Sequence, residues 1–231
     1  TGSDGISKVH FTVSPEHIDG FKELLEKVKP NFQKRYGLKL EASFSFQHKS
    51  TDTIAVDLNN RPILTETGDL IFRPGGHGAL IENLSELNAD IIFIKNIDNV
   101  VPDRLKPETK KYKKALAGLL VTLRNKVYTY LDKLEKPDGI KDEELLNKIG
   151  LFLKKDLKIN FENTFESKEQ QIAFFIQKLN RPIRICGMVK NEGEPGGGPY
   201  WVLNEDETSS LQIIEKAQID FSDAEQVEHF N

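Results

Sequence analysis

Arg73-Pro74-Gly75-Gly76-His77-Gly78 is a glycine-rich loop ahead of a stretch that reads as a helix. Downstream, an apolar run over 90–95 reads as a buried strand and ends on Asn96-Ile97-Asp98-Asn99. Glycines let a backbone approach a ligand closely, and a helix N-terminus attracts negative charge. An aspartate beyond a strand can hold a divalent cation. Ligands in open α/β sheets sit at the carboxyl ends of strands, where Asp98 would lie. Loop, helix, strand and carboxylate together point to a site for a phosphorylated ligand, and specifically a nucleotide.

Each candidate also has a plainer role open to it. His77 could be a turn histidine, and Asp98 or Asn99 a helix N-cap ahead of Val100-Val101-Pro102. Gly196-Gly197-Gly198, between two prolines, could be a flexible turn. Glu215 on an apolar strand could simply face outward, since a carboxylate there needs a partner or solvent. His10, His17, His48 and His229 lack metal-ligand spacing and read as structural or exposed. Cys186 reads as a small core residue. Ser14, Ser50 and Thr51 have no base partner that would make a hydrolase triad.

The elements that must position these residues follow from periodicity. Residues 8–13 alternate as a strand does, and Ser14-Pro15-Glu16 starts a helix that should end near Lys29, before Pro30. That helix should bury Phe21, Leu24, Leu25 and Val28. Residues 40–47 read as a second strand, and 53–58 and 68–72 as further strands around an Asn59-Asn60-Arg61-Pro62 turn. Strand-helix-strand order favours a mostly parallel sheet. From 106 the pattern turns helical: Leu116, Leu119, Leu123, Val127, Tyr130 and Leu134 mark one long amphipathic helix. A second helix should run over 142–156. A third should start at Ser167, whose spacing to Gln170 fits a capping box, and bury Ile172, Phe175, Ile176 and Leu179. Strands return at 183–189, 200–203 and 210–219. The expected organisation is a core α/β part (1–105), a helical insertion (106–180) and a return to the core sheet (181–231). No internal repeat is evident.

Composition sets outer limits. The chain has 231 residues, 38% hydrophobic and 29% charged, which suits a globular protein with a sizeable core. A net charge of −4 argues against broad phosphate-backbone binding, so nucleic acid is not an expected partner. One cysteine excludes an internal disulfide and a thiolate cluster. No apolar run approaches the roughly 20 residues of a membrane span. A reducing, cytoplasmic setting is expected. The chain opens on Thr1-Gly2 and its one methionine is Met188, so a piece of a larger protein is expected. Oligomeric state stays open.

Three islands carry a resemblance to nucleotide-sugar pyrophosphorylases of the UDP-sugar uridylyltransferase type. They are Pro74-Gly75-Gly76-His77-Gly78, the strand ending Ile97-Asp98-Asn99, and Leu211-Gln212-Ile213-Ile214-Glu215-Lys216-Ala217-Gln218. Over its whole length the chain also resembles a bacterial family described only as a domain of unknown function. It shares the phrases Arg-Pro-Gly-Gly-His-Gly-Ala-Leu-Ile-Glu-Asn and Lys-Asn-Glu-Gly-Glu-Pro-Gly-Gly-Gly-Pro with that family. The pyrophosphorylase resemblance implies a nucleotide-diphospho-sugar transferase fold, a Rossmann-like mixed sheet here carrying a helical insertion. It implies an enzyme joining a nucleoside triphosphate to a sugar 1-phosphate with magnesium.

By resemblance, Gln47, Gly76, His77 and Gly78 would contact the nucleotide, and Asp98 would hold magnesium. Lys190 would neutralise phosphate, while Asn99, Gly197 and Glu215 would face the sugar. Ala79 departs from the commoner acidic or glycine residue at its place. The family's basic triphosphate loop after its first strand has no counterpart before Lys8. A catalytically silent nucleotide-sugar-binding or regulatory domain is therefore the alternative.

Overall fold

Two short alternating segments, joined by a helix, build the first sheet. In the computed structural model, which describes residues 4–96, 99–136, 142–162, 164–190, 192 and 196–230, β1 (Ile6–Thr12) and β2 (Lys39–Ser45) pair in parallel. The helix α1 (Ile18–Tyr36) connects them. The register places Val9 beside Ala42 and Phe11 beside Phe44 on one face, and His10 beside Ser43 and Thr12 beside Ser45 on the other. Phe11 stacks on Phe44 (5.6 Å) and meets Phe21 of α1 (5.9 Å), so α1 covers the apolar face.

Contrary to expectation, α1 runs through Pro30 to Gly37, whose φ of 61° caps it in the left-handed conformation. Proline costs a helix one hydrogen bond and crowds the preceding turn. Here the far end is held independently: Gly37 N–H donates to Gln33 O, and the Gln33 side chain accepts Leu40 N–H at 2.8 Å. The expected buried face is only half covered, with Phe21 and Leu24 exposed.

Residues 53–73 form three short two-stranded legs meeting at one centre. Strands β3 (Thr53–Ile54) and β4 (Phe72–Arg73) make one leg, and isolated bridges Val56–Pro62 and Leu64–Leu70 make the others. At the centre Ala55 N–H donates to Ile71 O, Ile71 to Ile63 O, and Ile63 to Ala55 O, closing a ring of backbone bonds. Two hairpins thus repeat one bonding pattern, a regularity of backbone that residue types did not reveal. Asn60 (φ 60°) and Gly68 (φ 87°) supply the left-handed turns.

The chain divides into two units, Thr1–Lys95 and Asn96–Asn231. The second unit holds most of the core. It contains α3 (Lys106–Leu134), α4 (Glu143–Lys155), β5 (Ile159–Asn160) and α5 (Lys168–Leu179), then β6 (Gly197–Leu203), β7 (Ser209–Glu215) and α6 (Ala224–Phe230). Helix α4 starts where Asp142 accepts Leu145 N–H (2.9 Å) and presents Leu145, Leu146, Ile149, Phe152 and Leu153 as one buried stripe. Against it lie Leu123, Val127 and Leu134 of α3, Ile159 of β5, and Ile172, Phe175 and Leu179 of α5. Ser167 caps α5 by accepting Gln170 N–H, as its spacing indicated.

Several expected elements differ. One mixed, mostly parallel sheet was expected; among the described residues the strands form three separate small sheets, and of these only β1–β2 is parallel. Residues 90–95 form no strand: their backbone joins no ladder, and Phe93 and Ile94 stand exposed. Residues 183–189 likewise lack strand pairing, although Ile183 and Ile185 pack on the core. Cys186, on the opposite side of that alternation, is exposed, which corrects its reading as a core residue. Residues 181–231 were expected to rejoin the first sheet; β6 and β7 pair with each other, and β7 with β5. The architecture is a mixed α/β one of helices and small sheets. No helix among the described residues is long and apolar enough to cross a membrane.

The β6–β7 turn is fastened to α5 by a lysine. Lys178, 5% exposed, pairs with Asp206, donates to Thr208 Oγ1 (3.1 Å) and lies 5.4 Å over the Phe174 ring. The Lys178 ammonium, then the Thr208 hydroxyl, hold the Asp206 carboxyl down to about 2. Asp206→Asn should therefore destabilise the chain at neutral pH by about 1–3 kcal/mol, less than for a fully buried pair because Asp206 is half exposed. The folded pKa lies below the unfolded one, so this stabilisation is complete above 3.8 and disappears as pH falls through about 2. Urea melts of both proteins from pH 7 to pH 2 should converge at the acid end.

Candidate functional site

The glycine loop is held by a side chain that reaches it from the end of β2. Gln47 turns its amide oxygen to Gly75 N–H (2.7 Å) and its nitrogen to Gly75 O (3.2 Å), a two-point clamp on the backbone. Thr51 Oγ1 donates to His48 O (2.6 Å), closing the 3₁₀ turn Lys49–Thr51 beneath the loop. The loop passes into a 3₁₀ turn at His77–Leu80 and then α2 (Ile81–Ser85). The expected helix is present but only five residues long, so it contributes little dipole.

The glycines separate into two kinds. A Cβ at Gly75 would stand 2.8 Å from Thr51 O and 3.0 Å from Ala79 Cβ, so the fold requires glycine there. At Gly76 and Gly78 a Cβ would meet nothing within 4 Å, and neither has a left-handed φ. The protein's own packing gives no reason for glycine at those two positions. His77 between them is exposed.

A polar network beside the loop escaped the sequence reading. Asn83 of α2, 3% exposed, donates from Nδ2 to Ser45 Oγ (2.9 Å) and Phe46 O (2.7 Å). His10 bridges Ser43 Oγ through Nδ1 and Ser45 Oγ through Nε2, each at 2.8 Å, and Thr12 Oγ1 reaches Ser45 at 3.2 Å. Ser45 Oγ has three partners, His10, Thr12 and Asn83, which hold it within the network. The network ties α2 to the carboxyl ends of β1 and β2. Its only sequence signal is the alternation of His10 with Thr12 and of Ser43 with Ser45. Asn83 Oδ1 is buried without a hydrogen-bond partner among the described residues.

The expected sugar-side residues lie in the second unit. Gly197 and Glu215 are cross-strand partners at one end of the β6–β7 hairpin. A Cβ on Gly197 would stand 2.9 Å from Ile213 Cγ2 and 3.4 Å from Glu215 Cγ, so this glycine has a packing reason. Glu215 is exposed and caps the 3₁₀ turn Lys216–Gln218: its side chain accepts a backbone N–H of that turn, and its own N–H donates to Gln218 Oε1 (2.9 Å). Lys190 is exposed on irregular chain. Asn99 closes a turn through its N–H to Asn96 O (3.2 Å). Asp98, the expected metal ligand, lies outside the described residues. Among the described residues no group of three or more His, Cys, Asp or Glu could hold a metal.

Residues 1–231 match the family described as a domain of unknown function, DUF4301, and the chain belongs to that family. No curated protein and no solved structure matches it.

The loop geometry makes a local prediction. Gly75→Ala should cost about 1–3 kcal/mol, because the new methyl group overlaps the Thr51 carbonyl. Gly76→Ala should stay within about 0.5 kcal/mol. Hydrogen exchange at the Thr51 and Ala79 amides should accelerate in the first variant and not in the second.

Proposed function

We propose that this member of the family is a nucleotidyltransferase-like domain that binds a nucleoside triphosphate at the glycine loop and takes a sugar 1-phosphate as its second substrate. The supporting observation is the contrast among the loop glycines. Gly75 is fixed by Gln47, while Gly76 and Gly78 keep open space that the fold does not use. Bare backbone on a clamped loop suits the close approach of a base and ribose. The resemblance of the three islands to sugar-phosphate uridylyltransferases supplies the reaction class, and the Rossmann-like reading of the whole protein belongs to the same proposal.

In this reading a sugar-phosphate oxygen attacks the α-phosphorus of the triphosphate and pyrophosphate leaves with the electron pair. The nucleophile is already anionic, so the protein's work is alignment and charge neutralisation. Gln47 positions the loop rather than touching the base, because its amide is taken up by Gly75. Gly76, His77 and Gly78 face the nucleoside. A carboxylate offers about four acceptor sites, so Glu215 can cap its turn and still accept sugar hydroxyls, with Gly197 across the hairpin; Asn99 is assigned to the sugar by resemblance. Lys190 neutralises phosphate. Magnesium, expected on Asp98, would supply further charge neutralisation.

The use of Glu215 as a turn cap favours a second reading, a domain that binds a nucleotide sugar without turnover. Calorimetric titration with nucleoside triphosphates and nucleotide sugars, with and without magnesium, tests binding. Pyrophosphate release separates the two readings.

Gly78→Val should weaken nucleotide binding by about tenfold while leaving the melting temperature unchanged, since its side chain enters space empty of protein. Unchanged affinity would remove the loop from the site. Glu215→Gln should weaken a nucleotide sugar by roughly tenfold through loss of charge-assisted hydrogen bonds, leaving the bare triphosphate nearly unaffected. Equal losses for both ligands would defeat the division between nucleoside and sugar sides.

A further inference from the structure

A groove of 390 Å³ lies between α3 and the start of α4, wholly within the second unit. Lys126, Tyr130 and Lys133 line it from α3, at the spacing that puts residues on one helix face. Asp142, Leu145 and Lys148 line it from the α4 side. The two walls meet over Phe152 of α4, whose ring lies 5.2 Å from that of Tyr130 and 5.7 Å from the Lys126 ammonium. Leu145 and Phe152 are both buried, so apolar side chains back the groove. Glu144 pairs with Lys148 at 2.6 Å and raises its pKa most, with Asp142 and Tyr130 adding to the shift. The Lys148 ammonium therefore stands near both walls. Among the described residues Lys126 and Lys133 form no ion pair.

We infer that this groove binds a small hydroxyl-bearing phosphate ester, an inference independent of the nucleotide reading. Three ammonium groups face one carboxylate across it, in a chain whose net charge of −4 repels anions at long range. Affinity for an anion must then come from this local group. An ammonium only donates and a phosphate dianion only accepts, so the two match in every direction. No arginine lines the groove, so it lacks the planar fork that suits a carboxylate, whereas lysines act as point charges on a compact phosphate. Lys126 and Lys133 are two turns apart, roughly 10 Å along the axis, within reach of two flexible stems. The volume exceeds that of a bare phosphate and falls in the range of small-molecule sites. It leaves room for an organic part against Tyr130 and Leu145. Asp142 accepts Leu145 N–H at 2.9 Å as the α4 cap, and its remaining lone pairs can accept ligand hydroxyls.

The test is an amide NMR titration of the whole chain with glycerol 3-phosphate and with inorganic phosphate, each against sodium chloride at equal ionic strength. Glycerol 3-phosphate should give saturable shifts at the Lys126, Tyr130, Leu145 and Lys148 amides, half complete at about 1–10 mM. Inorganic phosphate should move the same amides and bind more weakly. The double variant Lys126→Gln, Lys133→Gln should weaken the ester at least about tenfold, and Lys133→Gln alone should act in the same direction. Circular dichroism confirms the fold of each variant. Gly78→Val should leave these shifts unchanged, which separates the groove from the glycine loop. Shifts that chloride reproduces, or that never saturate, overturn the inference. So does binding undiminished in both folded lysine variants, or inorganic phosphate binding as tightly as the ester.

Discussion

Ile149 and Leu153 of α4 have no exposed surface, and their enclosure is the condition on which the second unit depends. Helices α3 and α5 and strand β5 each contribute residues to that enclosure, so none of them is well placed without α4. Each such side chain contributes about 1.5–3 kcal/mol on burial. The first unit is built differently. Its buried apolar residues are Val13 and Ala55 alone among the described residues, and its order comes from polar bonds. These are the His10–serine bridges, the Asn83 donors, the Gln47 clamp and the closed ring at residues 55, 63 and 71. Hydrogen bonds fix geometry at modest net stability. The glycine loop therefore belongs to the easily opened part of the molecule, where ligand-binding segments are commonly found.

Helix positions in the second unit were legible because their signals are local and redundant. Ser167 caps the helix that its spacing indicated, Asp142 stands at the expected start of α4, and of the apolar period read for α3 Leu123, Val127 and Leu134 are buried while Leu119 is exposed. Pro30 misled because a proline reports only the local cost, while Gln33 and Gly37 hold the far end of α1 through contacts beyond it. The apolar runs at 90–95 and 183–189 misled for the opposite reason. An apolar run gives strand propensity, but a strand also needs a backbone partner, and propensity carries no information about one.

The candidate site was legible in outline only. Gln47 and the glycine loop were singled out and do meet, and Gly197 and Glu215 are partners across one hairpin. Asn83 was missed because a side chain that bonds to a backbone carbonyl leaves no periodic trace, and His10 was read only as structural or exposed. Gln47 and Glu215 also have local roles: Gln47 bonds the loop backbone through its amide, and Glu215 caps a turn.

The glycines show why composition alone could not divide structure from function here. Gly75 and Gly197 are required by packing, since a Cβ on either would collide with its neighbours. Gly68 is required by its positive φ. Gly76 and Gly78 meet neither requirement, although they stand in the same short run as Gly75. Where packing and backbone conformation both permit a side chain, the remaining physical reason for glycine is space for something outside the fold. That remainder, two positions flanking an exposed histidine on a clamped loop, is what the structure adds to the motif. In the proposed function it narrows a six-residue phrase to the part that the nucleotide would touch.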